Sequence, residues 1–535
     1  MSLSRLVIWG FALLPLLLFV LVFYFRWPPL VNFFTNRVEI SYILFTLCTA
    51  VFSFLAAPKF SNLTPSAKSS LVMGFKLLLC AYAGSLLLIT LIRYSNYTSE
   101  VIDVSYYHLA VWQLSEFKIP NIWESTTYLW SQHFEPIIFF LVPVYWLVKD
   151  AGILMLIQAG FIISGFIPLY LTGKHLLRSR FLGLCIGAAY LSFGGIQFGY
   201  AYGFHPIMFF PPLFFWMYYF LHRQKLFLYY LFLVLALLVK EEISLPIIFW
   251  GLYLLIFQKK RLPGVITIAL GISWYVFCFY YFIPHFNPRG FIYWGQFPAG
   301  QHYSGLLGII EFALTRPLEL AKTFITPSAK IQTFFHSFGF FSFLPLLYPP
   351  SWLLVFPSLM VKLLSSDITA LNGFHYSAVI GAAVIIAGIE SLRRLLVRFP
   401  LPVFWGLLIL YTAVFANLFY GYHRLSPLLF FRETALTDSQ LLSLGQAISL
   451  IPPEASVSAH YMIAPHLHKP YEKLRTGPKI PEKSDFVLTD IYLPIVLQDV
   501  NDATANLTDL LKNPRYQLIF NQNGALLFKS KTYSP

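Results

Sequence analysis

A succession of long apolar runs, with the few charged residues gathered at their ends, leaves this chain little choice of fold. Leu6 to Phe25, Val38 to Ala57 and Leu71 to Ile92 each approach the ~20 residues that cross ~30 Å of hydrocarbon as a helix. Alternating strands of about ten residues are absent, so a membrane-embedded part must satisfy its backbone within helices. Composition agrees: charged residues make up 11% of the chain and hydrophobic ones 58%, where a soluble globular chain carries roughly 25% charge. The expectation is an all-α polytopic membrane protein with about 11–13 transmembrane helices.

Leu6 to Phe25 follows Arg5 but ends in Phe25-Arg26-Trp27-Pro28 with no small-residue cleavage motif, so it reads as a retained first span, not a signal peptide. Cys48, Cys80, Cys185 and Cys278 sit inside apolar runs with no close spacing, which suggests neither a disulfide framework nor a zinc site.

Formal net charge is +14, and 11 basic against 10 acidic residues from Tyr422 onward leave +13 on the membrane part. That excess is topogenic, since basic residues beside spans favour the cytoplasm. The clusters are Lys59 with Lys68, Lys174 with Arg178 and Arg180, Arg223 with Lys225, Lys259-Lys260-Arg261, and Arg393-Arg394 with Arg398. Placing them inside makes Pro136 to Val148 an interfacial or re-entrant piece, too short to span. Leu226 to Phe257 then splits into two spans, with Lys240-Glu241-Glu242 as an outward hairpin tip. Phe338 to Leu364, interrupted by Pro345, Pro349-Pro350 and Pro357, becomes a short hairpin.

With basic residues alone fixing orientation, Asp103, His133, Glu135, His205, Lys240, Glu241 and His375 all fall on the extracytoplasmic side, as a single polar site there requires. Charge is costly inside or beside a bilayer, so such residues are functional candidates. From about Tyr422 the pattern changes to short strands, Phe486 to Thr489, Gln517 to Phe520 and Ala525 to Lys529, with a helix near Ser439 to Leu450. The expected organisation is two extra N-terminal helices over 1–70, a transmembrane domain over 71–421 with a large outer loop at 94–135, and a soluble extracytoplasmic α/β domain over 422–535.

Two readings stand for Asp103, which precedes a helical stretch with Val104, Tyr107, Val111 and Leu114 on one face: an N-cap, or a general base at the mouth of an apolar cavity. The His133-Phe134-Glu135 spacing occurs in metal and acid/base sites, but a loop histidine at a membrane surface is equally a polar anchor. Gly203-Phe204-His205-Pro206 makes a turn. Lys240-Glu241-Glu242 is harder to assign to a bland loop: Lys240 fits a phosphate as a point charge, and Glu241 a partner for it or for a divalent cation. His375 lies in Gly373-Phe374-His375-Tyr376. Asp103, Glu135 and Glu241 are the acids that could serve a metal.

Together, Asp103-x5-Leu109-x2-Trp112, His133-Phe134-x-Pro136, Gly203-Phe204-His205-Pro206, Val239-Lys240-Glu241 and His375-Tyr376-Ser377-Ala378 resemble the membrane family catalogued as domain of unknown function 2079. The likeness runs from about Leu71 to the end and includes Ile451-Pro452-Pro453-x-Ala455-Ser456-Val457-Ser458-Ala459. It implies the GT-C superfamily of glycosyltransferases, which take sugar from a polyprenyl-phosphate carrier, and it implies that Asp103 stands where that superfamily keeps a catalytic acid in its first large outer loop. Members of the family often carry a second acid five residues on, where this chain has His108, so a paired-carboxylate metal site is not implied.

The function expected on that basis is sugar transfer from a polyprenyl-phosphate carrier to an unknown acceptor at the outer face of a prokaryotic cytoplasmic membrane. Asp103 would be the base, with His133, Glu135, His205, Lys240, Glu241 and His375 contacting substrate. The alternatives are a lipid or solute transporter or flippase, whose path the same charges would line, and a non-enzymatic assembly protein. Charges at span ends, and no repeated pair of broken helices, speak against the transporter.

Overall fold

The computed structural model describes residues 37–97, 103–123, 127–201, 203–297, 305–366, 375–420, 436–460, 462–467, 475–476, 484–493 and 507–534. The first apolar run, Leu6 to Phe25, and the loop 367–374 lie outside the described residues. In chain order the helices that matter below are α1 (Val38–Ser61), α2 (Pro65–Ser95), α3 (Asp103–Ser115), α4 (Ala151–Ser164), α5 (Phe166–His175), α6 (Arg180–Ser192), α7 (Phe210–His222), α8 (Leu226–Leu237), α9 (Ser244–Ile256), α10 (Arg261–Val276), α11 (Trp352–Leu364), α12 (Ala378–Arg398), α13 (Pro402–Tyr420) and α14 (Asp438–Ser449). Among the described residues four stretches are long and apolar enough to cross a membrane: Val38–Ser61, Pro65–Ser95, Ala151–His175 and Arg261–Phe286. Shorter apolar helices include Pro136–Tyr145, Arg180–Ser192, Leu226–Leu237, Pro349–Leu364 and Pro402–Leu418. The protein is thus mostly helical, with a small sheet near its C-terminus.

The chain forms two compact units. The first comprises Met1–Ser85, Gly160–Gly199 and Pro206–His423. Here α1 packs on α13 and on the helix Ala329–Gly339, and α9 packs along α10. Helices α5 and α6 touch backbone to backbone, since a Cβ on Gly173 would stand 2.2 Å from the Gly183 Cα. Small residues at such crossings let dispersion forces act where lipid offers no hydrophobic drive. The charges Lys240 to Glu242 do interrupt the long run, which breaks into α8, a 3-10 turn at Glu241–Ile243, and α9. Pro345, Pro349 and Pro350 likewise lie in 3-10 turns before α11. Pro357, expected to break that segment, is instead accommodated inside α11.

The second unit comprises Leu86–Ala159, Tyr200–His205 and Arg424–Pro535. Its sheet has strands β3 (Val457–Ala459), β4 (Arg475–Thr476), β5 (Phe486–Asp490), β6 (Tyr516–Gln522) and β7 (Ala525–Ser530), in the order β4-β3-β5-β7-β6. A two-stranded ribbon, β1 (Asn121–Trp123) with β2 (Thr127–Tyr128), lies earlier in the chain. In the five-stranded sheet, β3 runs parallel to β4 and β5, while β7 is antiparallel to β5 and β6, with Leu488 opposite Leu527. Alternation sorts the side chains between two cores: Phe486, Leu488 and Leu527 meet Leu444 and Ala447 of α14, and Val487 and Phe528 meet Leu510 and Tyr516. Thr437 starts α14 through a capping box with Gln440. Tyr97 and Leu109 join the α14-side core, so the helix that carries Asp103 is built into the same unit as the sheet.

Candidate functional site

Asp103 opens α3 as its first helical residue, so the capping position falls on residue 102, outside the described residues. A helix N-terminus stabilises negative charge, and the Asp103 side chain is 33% exposed. Its Oδ2 lies 3.8 Å from Nδ1 of His205, which is itself buried. The turn that brings His205 there depends on Gly203, whose φ is +85° and where an added Cβ would stand 2.1 Å from Val104 Cγ2. Only glycine fits both the left-handed backbone and this approach to the first turn of α3. Gln158 clamps the turn from α4: its Nε2 donates to the Gly203 carbonyl (2.7 Å) and its Oε1 accepts from the His205 amide (2.6 Å).

One helical turn beyond Asp103, the Tyr107 hydroxyl donates to Glu135 Oε2 at 2.7 Å, and its ring meets those of Phe204 and His205 edge-on. Glu135 is 1% exposed, so this hydrogen bond supports a carboxyl group that burial would otherwise penalise. His133 is half-buried in the turn leading to Glu135. His108 is buried, with Nδ1 2.9 Å from the Tyr145 hydroxyl, which also lies 3.3 Å from the Asp150 carbonyl oxygen. This unit therefore gathers Asp103, His205, Tyr107 and Glu135 around the start of α3.

Lys240, Glu241 and His375 belong to the other unit. Lys240 and Glu241 are buried in the turn between α8 and α9, where the Ser244 hydroxyl donates to the Glu241 carbonyl at 2.8 Å. Lys362 of α11, also buried, is close enough to Glu242 to feel its charge. His375 begins a 3-10 turn ending at Ser377, and Ser377 lines a small pocket with Tyr42, His336 and Tyr420. Among the described residues no group of three or more His, Cys, Asp or Glu side chains is arranged to hold a metal ion. Asp103 and His205 offer two donors in one unit, Glu135 is engaged by Tyr107, and Glu241 lies in the other unit.

Sequence reasoning passed over Tyr107, Gln158, Lys362 and Glu390. Glu390, fully buried in α12, accepts hydrogen bonds from Tyr218 of α7 (2.6 Å), Tyr253 of α9 (3.0 Å) and Arg393 (2.8 Å). His222 donates from Nδ1 to the Tyr218 carbonyl (3.0 Å), so its Nε2 can accept from Arg393 at 3.1 Å. A polar residue within an apolar run was the available signal for both Gln158 and Glu390.

A family model described as "Predicted membrane protein (DUF2079)" matches residues 94–527. No curated protein matches. Among solved structures, the crystal structure of ArnT from Cupriavidus metallidurans bound to undecaprenyl phosphate is similar at 12% identity and a TM-score of 0.46. The same protein in the apo state is similar at 11% identity and a TM-score of 0.42. Each match covers 85% of this chain and 98% of the other. Both likenesses are too loose to carry residues or chemistry across.

Proposed function

The chain belongs to the predicted membrane protein family DUF2079, and we propose that it is a membrane glycosyltransferase that moves a sugar from a polyprenyl-phosphate carrier to an acceptor hydroxyl on the extracytoplasmic side. The observation that supports this most is the partly exposed Asp103 carboxylate at the N-terminus of α3, facing His205 across 3.8 Å, with buried Tyr107 and Glu135 behind it. A carboxylate that is open on one side and held on the other has what a general base for a hydroxyl needs: access to the proton, and fixed orientation. The resemblance of these motifs to DUF2079, which implies the GT-C superfamily, supplies the reaction class.

In the proposed step the acceptor oxygen attacks the anomeric carbon as the bond from that carbon to the carrier phosphate breaks. The bonding pair leaves with the polyprenyl phosphate, and the acceptor proton passes to Asp103. A single displacement of this kind inverts the anomeric centre. His205 orients the base, and Tyr107 with Glu135 holds the helix face behind it. Lys240 and His375, in the other unit, are the residues proposed for a donor phosphate, where a cation offsets leaving-group charge.

The test uses the full-length protein in sealed proteoliposomes with a panel of polyprenyl-phosphate-linked hexoses and pentoses and a membrane extract as acceptor. Release of polyprenyl phosphate with appearance of an inverted glycoside is the expected result. Movement of the intact carrier-linked sugar across the bilayer, with no glycosidic bond formed, would instead make the protein a flippase.

A further inference from the structure

Downstream of Asp103 the second unit carries a hollow that the proposed chemistry does not use. Phe117, Ile119, Trp130, Phe139 and Trp146, with Lys118 at the rim, line a cavity of about 460 Å³ that opens to the outside. The apolar surface around it is unusually bare: Phe117 is 89% exposed and Leu147 86%. Phe117 sits at φ +59°, a left-handed conformation that few side chains adopt, and its ring projects outward from there. Trp146, 56% exposed, donates from Nε1 to the Ser115 carbonyl (3.0 Å), and Trp112 beside the cavity donates from Nε1 to the rim carboxylate Glu116 Oε1 (2.8 Å). Rings arranged so are typical of the boundary between hydrocarbon and headgroups. The stretch Pro136–Tyr145, a 3-10 helix to Leu141 and α-helix after it, is ~18 Å long at ~2.0 and ~1.5 Å per residue, and lies along a membrane surface more readily than it crosses one.

Charge at the rim narrows the occupant. Lys118 and Lys149 flank Glu116 at 3.4 and 3.0 Å, and Lys149 also lies over the Trp112 ring at 4.9 Å. Two ammonium groups at the rim suit the negatively charged phosphodiester of a phospholipid. The rim also stands beyond the far end of the 13-residue helix that begins at Asp103, ~20 Å away at 1.5 Å per residue. A phosphate bound there could not present a sugar to Asp103. We infer that the hollow lined by Phe117, Trp130, Phe139 and Trp146 is a binding site for one acyl chain of a bilayer phospholipid, with its phosphate at Lys118 and Lys149, and that this lipid seats the outer loop on the membrane.

The experiment replaces Phe139, which is 46% exposed, with photoreactive benzoylphenylalanine in the full-length protein. The protein is reconstituted in phosphatidylethanolamine and phosphatidylglycerol vesicles containing a trace of polyprenyl phosphate. After illumination, intact mass should show a phospholipid adduct at least five times more abundant than with the same label at Lys512 on the sheet unit's surface. Ile119→Asp, an exposed position outside the proposed chemistry, should cut that adduct at least fivefold. An adduct with the mass of the polyprenyl phosphate, a crosslinked dimer, no lipid adduct, or an adduct indifferent to Ile119→Asp would overturn the assignment.

Discussion

At residue 203 one hydrogen atom decides whether the candidate base meets its histidine. Gly203→Ala would force a left-handed residue to carry a Cβ into Val104, a substitution that costs upward of about 1 kcal/mol where φ is positive. The variant should melt earlier and lose transfer activity, because relief requires the turn to move and His205 moves with it. Unchanged melting and unchanged activity would show that the turn has no such role. The sequence marked Gly203 and His205 as a turn, and Asp103 and Glu135 as charges in apolar surroundings. It did not mark Tyr107 or Gln158, because a tyrosine on an apolar helix face looks like core, and their partners lie 28 and 45 residues away. A second titratable residue makes a separate prediction. Burial holds the His460 ring down to about 4, and its Nδ1 accepts from the Met462 amide, so the fold favours the neutral ring. Because the unfolded chain takes up that proton near 6.5, its contribution to stability is complete above pH ~6.5 and is lost as pH falls toward 4. Melting of His460→Gln should be less sensitive over that window than melting of the unsubstituted protein.

At the scale of helices, Glu390 ties α7, α9 and α12 together through one carboxylate. Removing one partner of a buried ion pair leaves the other uncompensated, which costs about 3–5 kcal/mol, so Glu390→Ala should abolish stable folding in detergent. Tyr253→Phe removes a single hydrogen bond to a charged group, worth about 1.5–3 kcal/mol, and should lower the melting temperature while leaving a folded protein. Equal melting of Tyr253→Phe and the unsubstituted protein would deny the hub this role. Legibility here followed the contrast between a residue and its neighbours. Lys240 to Glu242 interrupt a continuous apolar run, and the break between α8 and α9 falls on them. The short apolar runs Phe486 to Thr489 and Ala525 to Lys529 read as strands, and strands lie at Phe486–Asp490 and Ala525–Ser530. Pro357 misled because removal of one donor can be absorbed within a helix whose neighbours hold it in place. Glu390 was hidden beside Arg393 and Arg394, which were read only for the orientation they impose.

For the whole molecule, the membrane class and a small C-terminal α/β part were legible in the sequence, whereas the grouping of Leu86–Ala159 with Arg424–Pro535 depends on contacts such as Leu109 with the sheet core, which no local pattern encodes. Orientation in the bilayer follows from the basic loops alone. On a background lacking the four native cysteines, Gln301→Cys and Gln498→Cys should therefore react with an impermeant thiol reagent from outside intact cells, and Lys260→Cys should not; the reverse pattern would invert the topology. The most direct test of sugar transfer itself lies at Asp103. Asp103→Asn keeps the size of the side chain at the start of α3 but cannot accept a proton. In the proteoliposome assay it should insert and melt like the unsubstituted protein while transferring sugar at a rate lower by about 10²-fold or more. Full transfer by Asp103→Asn would contradict its assignment as the base.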